Sequence, residues 1–464
     1  MASSSAAENA FVAGERLLDR AFGAGANPLR HLGALCFLLF WILAASGIVL
    51  YIRFDTSAAG AYRSIGDLEW WFGGLARSVH RYAADAFVVV ALLHLARELA
   101  AGRFRGFRVF SWISGLPALA LLYASGLIGY WLVWDVRSQF SALATAEWFD
   151  ALLFAGGTIA RNFVAPEAVV DRLFSLFVFL HLGLPLALLA AMWVHVQRLG
   201  QPRTVAARSL GAGMLVALIV LALAFPAASL ARWDSQTAPV AVGIDWFLLF
   251  LHPLMYTTSP NTLWWLAAGA TLALAALPGL ARTPPLAAAR VDPENCNGCG
   301  RCIADCPYQA VVLDAGGIAQ VFPGRCAACG ICAGACPSAT PFRSVRELVA
   351  GIDLPDQTVH DLRRRLDALL SRGTRRVRFR CACGPPVAGA IELRCMAMLA
   401  PSFIEYALRR GARSVTVGGC RDGECVWRLS DDIAAGRFAA LREPRLRATV
   451  RCERKDHEYS FTLR

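Results

Sequence analysis

The 464-residue chain carries no fingerprint for a nucleotide, a flavin or a nucleic acid, and only 17% of its residues are charged. GAGAN near the start opens no strand-turn-helix unit, and the later glycine-rich stretches sit beside cysteines, which excludes a dinucleotide-binding hydride carrier. Chemistry on a soluble substrate must then come from another polypeptide. The net charge of +12 does not point to DNA or RNA, because arginine-rich loops facing anionic lipid account for most of it. MASSSAAENAFVAGERLLDRAF lacks the basic stretch, apolar run and small-residue cleavage site of a signal peptide. Within the N-terminal segment 1–30, residues 10–22 predict an amphipathic helix lying on a membrane surface.

What the chain does have is apolar length. Its hydrophobic fraction is 56%, concentrated in the first 285 residues. Six stretches, 31–52, 76–100, 110–134, 172–197, 208–230 and 262–281, are long and apolar enough to predict membrane spans. Arg97, Arg103, Arg105 and Arg108 follow the second, and Arg198, Arg203 and Arg208 follow the fourth. Short arginine-rich loops belong in the cytoplasm, so the turns with Asp55, Asp67, Glu69, Asp135, Glu147 and Asp150 face outward. The expectation is a multi-pass protein of the inner (cytoplasmic) membrane whose soluble tail returns to the cytoplasm.

Two of these stretches carry histidines fourteen residues apart, His80 with His94 and His181 with His195. Fourteen steps turn a helix through nearly whole revolutions, so each pair shares one face at levels about 21 Å apart. Two such helices can clamp two stacked haems. Gly33 and Gly47 in the first stretch, and Gly115 and Gly129 in the third, repeat the same step, as bare backbone pressed against a haem edge would require.

On NPLRHLGALCFLLFWILAASGIVLY, RSVHRYAADAFVVVALLHLAR, GYWLVWDVRSQFSALATAE and the second histidine pair, the chain resembles the cytochrome b subunit of quinol-oxidising cytochrome bc complexes. The likeness covers about 200 residues and implies a four-helix di-haem domain over 31–200. By this resemblance His80 and His181 share the outer haem b, His94 and His195 share the inner one, and Arg77 and Arg97 stand where the family keeps basic residues near haem propionates. A dimer is also implied.

Residues 201–285 add two spans and an outer loop, GIDWFLLFLHPLMYTTSPNTLWWL, similar to the segment after the family's PEWY motif. Asp245 beside Trp246 stands for the glutamate that takes the quinol proton there, with a shorter side chain; a solvated loop acid or helix cap is the other reading. His252 is a weaker candidate for the same pocket. Cys36 lies three residues after Gly33, whereas relatives with a covalent extra haem carry their cysteine before that glycine, so it is read as an inert thiol.

Proline and small residues from Leu277 to Ala289 end the bundle. Residues 286–344 then repeat C-x2-C-x2-C-x3-C-P, the bacterial ferredoxin pattern whose fourth cysteine serves the other cluster. One 4Fe-4S cluster is expected on Cys296, Cys299, Cys302 and Cys336, the other on Cys326, Cys329, Cys332 and Cys306. Residues 345–374 predict a helical connector through VRELVAGI and DLRRRLDALL. From Arg375 to the end, RRVRFRCACG, AIELRC, PSFIEYALRRGA and RSVTVGGC alternate as strand, strand, helix and strand, a small α/β domain with cysteines at strand ends. RCMAMLAPSFIEYALRRGARSVTVGGCRDGEC resembles the delta, or iron-sulfur, subunit of methyl-viologen-reducing hydrogenase. That resemblance implies a 2Fe-2S cluster on four of Cys381, Cys383, Cys395, Cys420 and Cys425; Cys452 lies beyond them. The early pair is spaced C-x-C where that family has C-x2-C, which leaves the choice between Cys381 and Cys383 open.

The expected architecture is therefore a membrane helical bundle of the cytochrome b kind, then a ferredoxin-like α+β domain and a small α/β iron-sulfur domain. Its expected work is electron transfer between quinone or quinol, two b haems, two 4Fe-4S clusters and a 2Fe-2S cluster. The soluble partner is then a flavoprotein, a hydrogenase, a heterodisulfide reductase-like enzyme or a ferredoxin. With the cytoplasm negative, an electron moving outward across the haems gains about 2.3 kcal/mol per 100 mV, which favours delivery to quinone over the reverse. The alternative is a redox sensor or membrane anchor with structural haems.

Overall fold

The computed structural model describes residues 6–23, 25–68, 73–153, 157–161, 163, 169–232, 242–280, 286–384, 386–420, 425, 427–455 and 457–464. Glu69, linker residues 281–285 and loop residues 421–424 lie outside these. The chain forms two compact units, one of Met1–Val196 with Arg203–Arg282, the other of Gln197–Pro202 with Thr283–Arg464.

In the first unit the long helices pair two by two. Leu32–Arg53 packs along Leu75–Ala100, and Val109–Trp131 along Asp171–Val196. Leu35, Leu39, Phe87, Leu122, Leu188 and Met192 form one core between them, and Trp131, Trp134, Phe163, Phe174 and Phe177 a second at the other end. Pro117 and Pro185 sit inside two of these helices. Among the described residues four helices are long and apolar enough to cross a membrane, Leu32–Arg53, Gly106–Trp131, Asp171–Val196 and Pro260–Leu280. Leu75–Ala100 is as long but carries Arg77, Arg81, Asp85, Arg97 and Glu98, which lower its mean hydropathy. The fifth expected span is shorter than the sequence suggested: the helix is Arg208–Ala224, ending just before Phe225 and Pro226. Among the elements not anticipated are the helix Val136–Leu153 and the short helix Leu251–Thr257.

The N-terminal helix, Ala6–Phe22, buries one residue, Glu15, whose carboxylate meets Arg30 at 3.3 Å and Arg97 at 2.7 Å. Asn27 reinforces the anchorage, donating to Glu15 O and Asp19 Oδ1. This segment is thus held to the bundle by charge as well as by its apolar face.

The second unit joins both cysteine-rich stretches. Strands Val311–Leu313 and Ala319–Val321 form an antiparallel hairpin, and Arg290–Val291 pairs with Ile352–Asp353. That pairing corrects the expected connector: VRELVAGI is not helical, because its backbone is used elsewhere. Leu348 N bonds His360 Nδ1, Gly351 N bonds Ser338 Oγ and Gly351 O accepts from Asp292 N. The helix begins only at Val359, capped by Thr358 through Asp361 N. A five-stranded sheet follows in the spatial order Ile391–Leu393, Arg376–Cys381, Ser414–Gly418, Glu458–Leu463, Val450–Lys455. The first two pairings are parallel and the last two antiparallel. Its last two strands, and the helix Ser430–Phe438, were not read from the sequence.

Candidate functional site

The two helix pairs bring the four histidines together two at a time. His80 faces His181 with ring centroids 6.2 Å apart, and His94 faces His195 at 6.4 Å. An iron about 2.0 Å from a nitrogen on each face, with each ring centre roughly 1.1 Å behind its nitrogen, sets two centroids about 6.2 Å apart. The spacing fits a six-coordinate iron between each pair.

In His80, His181 and His195, hydrogen bonds at Nδ1 leave Nε2 for that role. Ser125 O can only accept, so His181 Nδ1, 3.1 Å away, carries the proton. Ser46 Oγ donates to Ile42 O at 2.7 Å and so accepts from His80 Nδ1 at 3.0 Å. Ser114 Oγ does the same between Phe110 O at 2.7 Å and His195 Nδ1 at 3.2 Å. In each case the partners fix the tautomer in which Nε2 has a lone pair for a metal. The sequence reading missed these serines, although Ser46-Gly47 and Ser114-Gly115 place one directly before a haem-spaced glycine.

The glycines lie against the histidines. A Cβ on Gly129 would stand 2.9 Å from His181 Cε1, on Gly47 3.2 Å from His80 Cε1, on Gly115 3.2 Å from His195 Cε1 and on Gly33 3.8 Å from His94 Cε1. One glycine backs each imidazole, on the neighbouring helix. Arg77 donates to Ser229 Oγ at 2.8 Å, while Arg97 is held by Glu15 and by Glu98 at 3.5 Å. Cys36 is partly buried among the apolar side chains of the bundle.

Asp245 is not a solvated acid, as one reading had it. It is buried, paired with Arg81 and hydrogen-bonded by Tyr130, while Trp246 beside it is exposed. Neither Arg81 nor Tyr130 was singled out in the sequence. His252 is buried too, with Nε2 2.9 Å from Thr145 Oγ1 and Nδ1 3.3 Å from Leu249 O.

In the second unit the ferredoxin-type cysteines fall into two groups with the fourth residue exchanged. One cavity is lined by Cys306, Cys326, Cys329 and Cys332, walled by Ala289, Val311, Ile331 and Leu354. Burial, then Cys299, Cys336 and Cys296, pushes the Cys302 thiol up to about 11. Burial pushes Cys329 up to about 12, and burial followed by Cys329, Cys326 and Cys306 pushes Cys332 well above the thiol range. Such thiols ionise together only around a strongly positive centre, and an iron-sulfur core supplies one. Backbone amides already point at sulfur, from Ala310 to Cys306 at 3.3 Å and from Ala328 to Cys326 at 3.4 Å. Gly300 and Gly330, at φ 71° and 78°, reverse the chain just before the short helices that carry Cys302 and Cys332.

A third group forms at the strand ends. The sulfurs of Cys381, Cys383 and Cys420 lie within 4.8 Å of one another. Cys420 lies 3.4 Å from Cys381. Hydrogen bonds to Cys381, Cys383 and Cys425 push the Cys420 thiol up, and Cys425 stands beside the group with its sulfur donating to Trp427 O at 3.1 Å. Cys395 lies beside them, its sulfur 2.7 Å from Ser430 Oγ, and burial with Cys329, Cys425 and Cys381 near it pushes its thiol well up. The C-x-C spacing therefore does not force a choice, since Cys381 and Cys383 both reach the group, and Cys452 lies on the far edge strand. Arg437 holds these loops to one another: fully buried, it pairs with Asp305 at 2.5 Å and donates to Ala397 O at 2.7 Å and Ile331 O at 3.2 Å.

Comparisons with known proteins follow the same division. The family described as cytochrome b/b6/petB matches residues 24–202, the 4Fe-4S dicluster domain residues 288–347, and the delta subunit of methyl-viologen-reducing hydrogenase residues 377–458. Cytochrome b6 of Heterocapsa triquetra is 30% identical over 173 residues, covering 35% of this chain and 78% of its own length. Cytochrome b6 of Gracilaria tenuistipitata var. liui is 28% identical over 175 residues, 36% of this chain and 80% of its own. Among solved structures, one described as hyperthermophilic respiratory Complex III is similar with a TM-score of 0.47 and 22% identity, over 55% of this chain and 75% of that one.

Proposed function

The chain belongs to the cytochrome b family, continued by a 4Fe-4S dicluster domain and a hydrogenase delta-subunit domain, and we propose on that footing that it delivers electrons from a soluble donor to membrane quinone. It is a multi-pass membrane electron-transfer protein and a redox subunit of an oxidoreductase complex. The observation that carries the finer reading is the pair of histidine couples spaced for six-coordinate iron, in one polypeptide with three convergent cysteine groups.

In this reading His80 and His181 hold the outer haem b, and His94 and His195 the inner one. Gly33, Gly47, Gly115 and Gly129 keep the rings in place, and Arg77 and Arg97 lie near the propionates. Cys296, Cys299, Cys302 and Cys336 hold one 4Fe-4S cluster, and Cys326, Cys329, Cys332 and Cys306 the other. Cys381, Cys383, Cys420 and Cys425 hold a 2Fe-2S cluster, with Cys395 beside it. These groups supply one-electron storage; the protein sets their ligands, their burial and their access to water. Asp245 serves proton exchange with quinone at the outer end. The clusters face the cytoplasm, the membrane is the inner one, and the donor is a ferredoxin or a flavoprotein, hydrogenase or heterodisulfide reductase-like enzyme. The bundle pairs with a second copy.

The test uses the intact chain in lipid nanodiscs, reduced by dithionite or reduced ferredoxin and mixed with a quinone analogue under nitrogen. The b-haem bands are expected to reoxidise as quinol forms, with inhibitor sensitivity. Haems that stay reduced would leave an anchor or sensor, and clusters reduced by quinol alone would reverse the direction.

A further inference from the structure

Asp85 lies one helical turn after Arg81 on the Leu75–Ala100 helix, on a stretch flanked by alanine, valine and phenylalanine. Its side chain is 13% exposed and pairs with Arg81 at 2.5 Å. The same guanidinium reaches Asp245, whose side chain is 2% exposed, and lies 5.0 Å over the ring of Tyr130. The Tyr130 hydroxyl donates to Asp245 Oδ2, and Asp245 Oδ1 accepts from Phe247 N at 2.8 Å and from Leu248 N at 3.4 Å. The Asp85 and Asp245 carboxylates thus share one guanidinium, that of Arg81.

Charge requires a proton on one of them, since two largely buried anions on one guanidinium leave an uncompensated charge and one proton removes it. The remaining titratable groups facing the pair are the phenols of Tyr130 and Tyr123, from the Val109–Trp131 helix, with Tyr123 donating to Leu248 O at 2.5 Å. Asp245 receives four donors, from Arg81, Tyr130 and two backbone amides, so the negative charge settles there and the proton on Asp85.

We propose that Asp85 and Asp245 form a carboxyl–carboxylate pair, clamped by Arg81 and Tyr130, whose single exchangeable proton is handed to quinone. The second half rests on the quinone reading above. Quinone takes up two electrons and two protons. The pair supplies one proton by breaking the Asp85 O–H bond as a quinol O–H bond forms, and water on the outer side refills it. Water supplies the other proton, and the two electrons come one at a time from the reduced donor. Within the pair Asp245 holds the charge and Asp85 the proton, so the proton exchange assigned to Asp245 above runs through Asp85.

The test is redox-difference infrared spectroscopy of the intact, haem-loaded chain in nanodiscs, without and then with a quinone analogue. Without quinone, one protonated-carboxyl C=O band is expected, shifting in D2O, absent in Asp85→Asn and displaced but present in Asp85→Glu. Unaltered b-haem spectra show that the variants are folded. With quinone, that band shifts, and Asp85→Asn reduces quinone about a hundredfold more slowly at an unchanged KM. A wild-type chain with no Asp85-dependent band overturns the pair. A present band with full-rate quinone reduction by Asp85→Asn overturns the handover. A wild-type chain that bears the band but never reduces quinone keeps the pair and sinks the quinone reading alone.

Discussion

The helical bundle and the cysteine-rich unit hold metal-ligating residues by opposite means. In the bundle the candidate ligands are far apart in sequence, on stiff helices; His80, His181 and His195 are aimed by a serine hydroxyl or carbonyl, and all four imidazoles are backed by a bare glycine. In the second unit the ligands crowd into short loops that turn through Gly300 and Gly330, and amides from the same loops point at sulfur. Periodicity builds the first kind of site and local turns build the second. Losing one histidine should therefore empty only the site it shares with its partner across the helix pair, whereas the cysteine loops are tied to one another through Arg437.

Four measurements sharpen that contrast. The largest effect is expected for His80→Ala and His181→Ala, each removing the same one of two haems, read as a halved haem-to-protein ratio by pyridine haemochrome. Next, Arg437→Leu leaves Asp305 buried against Arg442 alone and removes a tie between three cluster loops. It should cost the second unit about 3–5 kcal/mol, read as an earlier melting of the iron-sulfur absorbance with the haem bands unchanged. Third, Cys383→Ser should abolish the electron paramagnetic resonance signal of the third cluster, while Cys395→Ser, whose sulfur bonds Ser430, should keep it. Loss in both would put Cys395 among the ligands. The smallest and most graded effect belongs to the glycines. Substitution by alanine should loosen haem retention in the order Gly129, then Gly47 and Gly115, then Gly33, following clearances of 2.9, 3.2, 3.2 and 3.8 Å. The reverse order would remove the packing argument.

The same contrast explains what could be read before any coordinates. A helix converts spacing into direction, so the fourteen-residue step sets His80 with His94 and His181 with His195 on faces that meet across the helix pairs, and the tight cysteine repeats are their own instruction. Neither rule reaches contacts between distant segments. Arg81, Asp85 and Tyr130 look like ordinary interfacial residues until Asp245 arrives from a loop 160 positions beyond Asp85. The grouping of Cys381, Cys383 and Cys420 depends on parallel pairing of Arg376–Cys381 with Ser414–Gly418, which sets the strand ends side by side. VRELVAGI reads as helix locally, but Gly351 and its neighbours are taken up by hydrogen bonds to Asp292 and Ser338. The C-terminal hairpin escaped because its strand Val450–Lys455, an edge strand, alternates little.

The most direct test of the central claim is a stoichiometric haem count on the purified chain, with His80→Ala, His181→Ala and the double variant alongside. Two haems b in the wild type, and one in all three variants, are predicted. A wild-type chain with no haem, or a double variant that loses both haems while each single variant loses a different one, would contradict it.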